Sequence, residues 1–181
     1  MLCRDFRIGD AVRWKEPRVK DAFILQRERD LIALHERCVL KPYDDADGGH
    51  VGSGKIVKGK VTIGWGWNLT DNGIPQDIAD MLRERALADA LREVRGALPW
   101  FDGIDPVRKV AMLDMAYNMG TPKLLTFKHM LGSAEKKKWT MAATHAMASK
   151  WYLQTGTRAR RIVRMLRTGQ WPEDVTFQNF E

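Results

Sequence analysis

Two cysteines in 181 residues, Cys3 and Cys38, are too few and too far apart to staple a fold, which excludes a disulfide framework and makes a reducing compartment the expectation. Apolar runs are short. None reaches the ~18 residues of a membrane-crossing helix, and the amino terminus lacks the apolar middle of a signal peptide. The expectation is a chain made soluble in the cytoplasm, without stable membrane insertion. Metal motifs are missing too. Val39 stands where His35-Glu36 would need a second histidine to bind zinc, and Asp44, Asp45 and Asp47 lack the spacing and the glutamate of a calcium loop. Gly49 to Lys55 has the Gly-x-x-x-x-Gly-Lys spacing of a phosphate loop, but Ile56 replaces the magnesium-binding Ser or Thr and no apolar strand precedes Gly49. No metal, nucleotide or other cofactor is expected.

Positive charge is in excess, with 30 Lys and Arg against 23 Asp and Glu and a net charge of +7. That balance favours an anionic partner, whether nucleic acid, acidic lipid or a carboxylate-bearing cell wall, and does not choose among them. A chain of this length buries about 70% of its extended surface, so one domain, in two lobes, is expected. Residues 1–20 read as a basic extension around Phe6, Val12 and Trp14, and Asp21 to Val39 as a helix ended by Pro42. Five glycines between Asp47 and Lys60 mark a loop or hairpin, with Lys58-Gly59 turning into a strand at Val61. After the turn Asp71-Asn72-Gly73, apolar residues from Ile78 to Leu98 recur at helical spacing up to Pro99, long enough to join two lobes. Cap signals then repeat: Asp105 opens a helix ending at Gly120, Thr121-Pro122 one ending at Gly132, Ser133 the next segment, and Thr157 one ending at Gly169. The reading is α+β, mostly α: a small lobe with a short β-hairpin over residues 21–73, a connecting helix over 74–98, and an all-helical lobe over 99–181.

The chemistry concentrates between Leu34 and Asn68. Glu36 sits one turn beyond Ile32, close to the stripe carrying Val39 and Leu40, and partial removal from water favours its protonated form, as a general acid requires. Tyr43-Asp44-Asp45 enters a loop with little apolar cover, where carboxylates stay hydrated and ionised. An acid in a dry setting and one in a wet setting make an acid/base pair. From Val61 to Trp67 the large residues alternate with Thr62, Gly64 and Gly66, so one face is small and lets a ligand approach the backbone. Together these parts imply glycosidase chemistry.

Glu36, Asp45 and the run Thr62-Ile63-Gly64-Trp65-Gly66 resemble the catalytic signature of the phage-type lysozymes, the muramidase endolysins of glycoside hydrolase family 24 that include the lysozyme of the T-even coliphages. The likeness continues in order through Ala116-Tyr117-Asn118-Met119-Gly120, Phe127, Met130-Leu131, Trp139, Ala142-Ala143, Ser149-Lys150-Trp151-Tyr152, Gln154-Thr155, Arg158-Ala159 and Arg167-Thr168-Gly169. It covers residues 24 to 172.

The resemblance implies a two-lobed lysozyme fold and hydrolysis of the β-1,4 bond between N-acetylmuramic acid and N-acetylglucosamine in peptidoglycan. Glu36 is the implied general acid, Asp45 the base holding a water, with Asp44 as the alternative, and Thr62 the second contact to that water. A water between carboxylate and sugar means inversion. Asn68, Tyr117, Asn118, Met130 and His145 match substrate contacts, and Arg158 matches the arginine that pairs with the catalytic glutamate. Trp65 and Trp67, sharing a face with Val61 and Ile63, read as lobe core, and Arg160, Arg161, Arg164 and Arg167 as a solvated helix face. Peptidoglycan is the implied partner of a monomer that uses no nucleic acid and reaches the periplasmic wall of its host through a holin. Arg37 where glycine is usual, Trp67 where histidine is usual, and a longer loop before Thr62 depart from the family. A lytic transglycosylase and a non-enzymatic cationic wall- or membrane-binding protein are the alternatives.

Overall fold

A computed structural model describes residues 19–35 and 37–174. Glu36 and most of the basic extension lie outside the described residues. The chain divides into two compact units, residues 1–81 and 82–181. Described elements are mostly helical with one small antiparallel sheet, as expected of an α+β fold.

The first unit holds α1 (Val19–His35), β1 (Val39–Asp44), β2 (Val61–Gly64), β3 (Trp67–Asn68) and the short α2 (Leu69–Asn72). The strands lie in the order β1-β2-β3. Two expectations are corrected here. The helix does not run to Val39 and Pro42 does not end it: α1 stops at His35, and Val39 pairs with Gly64 as the start of a strand, leaving Leu40 81% exposed. Pro42 is tolerated because β1 is an edge strand and its register shifts between Val39 and Tyr43, so no ladder bond is lost with the missing N–H. The Pro42 carbonyl accepts from the Val51 N–H and His50 Nδ1–H, both at 2.8 Å, which folds the long loop back on β1.

The second correction concerns the run Val61 to Trp67. It is not one strand but a hairpin, with Thr62 opposite Asn68 and Ile63 opposite Trp67. Gly64 and Gly66 take φ of +67° and +84°, a region open to glycine, and the chain reverses there. The reversal ends the alternation that placed the tryptophans in the core. Trp65 is 52% and Trp67 43% exposed.

The helix α3 (Gln76–Ala97) follows, and its apolar stripe is used unevenly: Met81 and Leu82 are exposed, whereas Ala90 and Val94 are buried. In the second unit come α4 (Pro106–Met119), α5 (Thr121–Leu124), α6 (Lys128–Glu135), α7 (Trp139–Met147), α8 (Lys150–Thr155) and α9 (Thr157–Thr168). Asp105 caps α4 as its spacing predicts, accepting the Arg108 N–H at 3.1 Å with Pro106 at the first helical position. The helix expected from Thr121 to Gly132 is split, and Gly132 and Ser133 lie inside α6. The Thr126 hydroxyl donates to the Lys123 carbonyl, closing α5, and Phe127 turns in to meet the Trp151 ring edge-on at 6.3 Å. Ser149 caps α8 through the Tyr152 N–H. Phe101, Met112, Met115, Leu124, Met130 and Leu166 form the largest buried pieces of the core these helices enclose.

Candidate active site

Adjacent aspartates at the end of β1 have opposite surroundings. Asp44 is fully buried. Its Oδ2 accepts the Lys58 N–H at 2.7 Å, and its Oδ1 accepts the Gly59 and Ala46 N–H groups at 2.9 and 3.1 Å. The Lys58 N–H, against the opposing effect of burial and with help from Ala46 and Gly59, holds this carboxyl below the ordinary aspartate range. A carboxylate with three backbone donors and no path to solvent ties the loop ends together. The expected water-exposed Tyr43-Asp44-Asp45 segment is thus corrected at Asp44, which is fully buried.

Asp45 is exposed in the turn after β1. Its Oδ1 accepts the Lys60 N–H at 2.6 Å and its own N–H donates to the Lys60 carbonyl at 3.0 Å, so its carboxylate is fixed two residues before Thr62. Among the described residues its second oxygen meets no donor. Lys60 is itself anchored, its Nζ 2.8 Å from Asp71, and that bond holds the Asp71 carboxyl below its usual range. The next N–H, of Val61, donates to Thr70 Oγ1 at 2.8 Å, so α2 and the start of β2 form one braced frame.

Gly59 explains itself by contact. A Cβ there would stand 2.1 Å from Asp45 Oδ1 and 2.9 Å from Ala46. Replacing Gly59 by alanine is expected to displace Asp45 and lower turnover about tenfold or more, while far-UV circular dichroism keeps its helical signal. An unchanged rate would show that Asp45 need not be held in this place.

Asp44 also sets a pH dependence. Its folded-state pKa lies below the unfolded value, so its contribution is present above about pH 4 and disappears as pH falls through the lowered folded value. Thermal melts from pH 6 down to pH 2 should show this loss in the wild type and little of it in Asp44→Ala, which should also be cut faster by protease within the 46–60 loop at neutral pH.

The other residues fall in different settings. Thr62 sits in the central strand, 5% exposed, between Tyr43 and Asn68. Asn68 caps α2, accepting the Asp71 N–H and donating to Asp71 Oδ2 at 2.9 Å, so its polar atoms are engaged. Arg37, next to Glu36 in sequence, lines with Cys38, Tyr43 and His50 a hollow of about 440 Å³ along β1.

In the helical unit Tyr117 and Asn118 are exposed at the end of α4, and Asn118 Oδ1 accepts the Trp151 Nε1–H at 3.1 Å. Met130, expected as a substrate contact, is 1% exposed and packs in the core beneath a hollow it helps to line. His145 is half-buried beside His129, ring centroids 5.5 Å apart. Arg158 donates through Nε and Nη2 to both oxygens of Asp114, at 2.8 and 3.0 Å, and this pair raises the arginine's pKa. Asp114 is the sole acid of α4, and its partner lies 44 residues away on α9, so no local pattern marks it. On α9, Arg161 and Arg164 reach Asp174 and Glu173, so the arginine face is partly neutralised.

The chain is 38% identical over 69 residues to probable T4-type lysozyme 1 of Dictyostelium discoideum, a match spanning 38% of this chain and 41% of that relative. It is 26% identical over 165 residues to probable T4-type lysozyme 2 of the same organism, covering 80% of this chain and 96% of the relative. A third likeness, 28% over 157 residues, is to the pre-baseplate central spike protein Gp5 of Enterobacteria phage T4; it covers 77% of this chain and 27% of that protein. No protein-family model matches the chain. The chain is thus similar, over most of its length, to proteins named T4-type lysozymes.

Proposed function

We propose that the protein is a muramidase, hydrolysing the β-1,4 bond between N-acetylmuramic acid and N-acetylglucosamine. The observation that carries this reading is the presentation of Asp45: an exposed carboxylate with one oxygen fixed by the Lys60 N–H and the other open, beside the strand of Thr62. In the proposed reaction Asp45 takes a proton from water as that water attacks the anomeric carbon. Glu36 gives its proton to the leaving glycosidic oxygen. One displacement inverts the anomeric centre and requires room for a water, hence carboxyl groups about 6.5–9.5 Å apart. The likeness to two probable T4-type lysozymes of Dictyostelium discoideum supports the activity. Host lysis by a monomer, made in the host cytoplasm and released through a holin, is the phage form of the proposal.

Mass spectrometry of muropeptides after digestion of purified sacculi tests the reaction. Reducing-end N-acetylmuramic acid is expected. A 1,6-anhydro end would assign the protein instead to the lytic transglycosylases.

A further inference from the structure

A hollow of about 780 Å³ lies where the turn between α6 and α7 meets the end of α9. Its cations are Arg108, Lys137, Lys138 and Arg167, and no aspartate or glutamate lines it. Arg108 is occupied, bound to Asp105 and laid 4.5 Å over the Trp139 ring, so it serves as a fixed wall. The other three are differently placed. Among the described residues no acid pairs with Lys137, Lys138 or Arg167, and Arg167 Nη2 bonds the neutral Met147 Sδ at 3.1 Å. Arg161 and Arg164, on the same helix, do have acid partners. One of the three cations is held under strain. The Lys137 N–H bonds the Ala134 carbonyl and the Lys138 N–H the Ser133 carbonyl, each at 2.9 Å, the pattern that closes a helix on a left-handed residue, usually glycine. Lysine stands there instead at φ +54°, the one non-glycine with positive φ among the described residues.

Three unpaired positive charges around one concavity match more than one negative charge, and a lone carboxylate would leave them in excess. Arginine and lysine together suit phosphate oxygens, the first as a planar fork and the second as a point charge. A flat array of lipid headgroups does not enter a concave site. Nucleic acid uses successive stacking platforms, and Trp139 is a single ring with Arg108 already over it. What fits is a flexible chain of small polyols joined by phosphodiesters, with one negative charge per unit. We propose that this hollow binds such a polyol-phosphate polymer, of the kind that bacterial walls carry, and so holds the protein where its substrate is. That last step rests on the muramidase reading; the binding itself uses no residue of the candidate active site.

The test titrates the full chain with a synthetic glycerol-phosphate oligomer, with inorganic phosphate, and with vesicles of phosphatidylglycerol in phosphatidylcholine, following the Trp139 indole N–H by NMR. The oligomer should shift that resonance and bind about tenfold more tightly than inorganic phosphate, because several of its charges engage at once, the margin narrowing in high salt. The double variant Lys138→Gln, Arg167→Gln changes only exposed side chains and should weaken oligomer binding about tenfold or more. Lys137→Gly separates binding from folding. It relieves the left-handed strain, so the melting temperature should rise while oligomer affinity falls severalfold. An unmoved Trp139 resonance, affinity no greater than for inorganic phosphate, binding that these variants retain, or vesicles bound with the oligomer ignored overturns the proposal. Oligomer binding in a protein that leaves sacculi uncut would keep this site and remove the muramidase reading; digestion of sacculi by a protein that ignores the oligomer would do the reverse.

Discussion

Asparagine in place of Asp45 is expected to lower turnover of peptidoglycan by about 10²- to 10⁴-fold, with KM and the melting transition unmoved. The amide oxygen still accepts the Lys60 N–H, so the turn after β1 keeps its geometry. What it loses is the ability to take a proton from water at the open position. Glu36→Gln, removing the proposed acid, should cost as much or more, and the double variant little beyond the worse single, because the two groups serve one step. Turbidity loss on permeabilised cells and release of reducing ends measure both. Should either variant keep more than about a tenth of the wild-type rate, that residue is not the proton carrier.

Asp44→Asn makes the contrast that separates base from brace. Its carboxylate receives three N–H donors, and an amide has only one oxygen to offer them, turning its NH₂ toward a donor. Activity falls here as well. The difference lies in what accompanies the fall: for Asp44→Asn, a changed near-ultraviolet signal from Trp65 and Trp67 and faster cleavage in the loop; for Asp45→Asn, neither. A rate defect in Asp44→Asn with an unperturbed loop would return Asp44 to consideration as the base.

This pair also shows what the sequence could carry. The family resemblance, through its spacing from Glu36, singles out Asp45, which is exposed, while composition alone treats Asp44 and Asp45 as equals. Burial of Asp44 arises from backbone donors fourteen and fifteen residues away, at Lys58 and Gly59, and such a long-range arrangement leaves no local periodicity to read. The reversal between β2 and β3 escapes the sequence pattern for a related reason. Val-Thr-Ile-Gly-Trp-Gly-Trp alternates perfectly on paper, and only the positive φ of Gly64 and Gly66 turns the alternation into a reversal. Asp105 before Pro106, Gly120 after α4 and Gly169 after α9 stand where cap chemistry puts them, whereas Thr121 and Thr157 begin their helices without capping them, the cap positions falling to Gly120 and Gly156. The interior of α6 shows the limit of such punctuation, since Gly132 and Ser133 read as a stop and a start but are carried through the helix by burial of its Met130, Leu131 and Ala134 face.

Arg108→Ala is expected to destabilise the protein by about 2–3 kcal/mol, and so to lower the melting temperature by roughly 5–10 °C, without altering the chemistry of Asp45. This arginine closes the far end of α9 from another helix. Its Nε donates to the Leu166 carbonyl at 2.8 Å and its Nη2 to the Arg167 carbonyl at 3.3 Å, two of the acceptors that a helix end leaves unpaired. Its Nη1 bonds Asp105 at 2.7 Å, and its guanidinium lies 4.5 Å over the Trp139 ring. The positive charge also sits at the negative end of the α9 dipole. Burial of Asp105 acts to raise its pKa, and the Arg108 contact outweighs it, holding the carboxyl below the usual range. Gly169 completes the arrangement: it ends α9 at φ +68°, and a Cβ there would stand 2.5 Å from Arg108 Nη1. Gly169→Ala therefore meets both backbone strain and the guanidinium, and should destabilise as much as the loss of the arginine. In the double variant the steric part disappears, so the two costs should fall short of additive by about 1 kcal/mol. Strict additivity in denaturant melts would mean that Arg108 and Gly169 act separately and that the guanidinium does not cap α9.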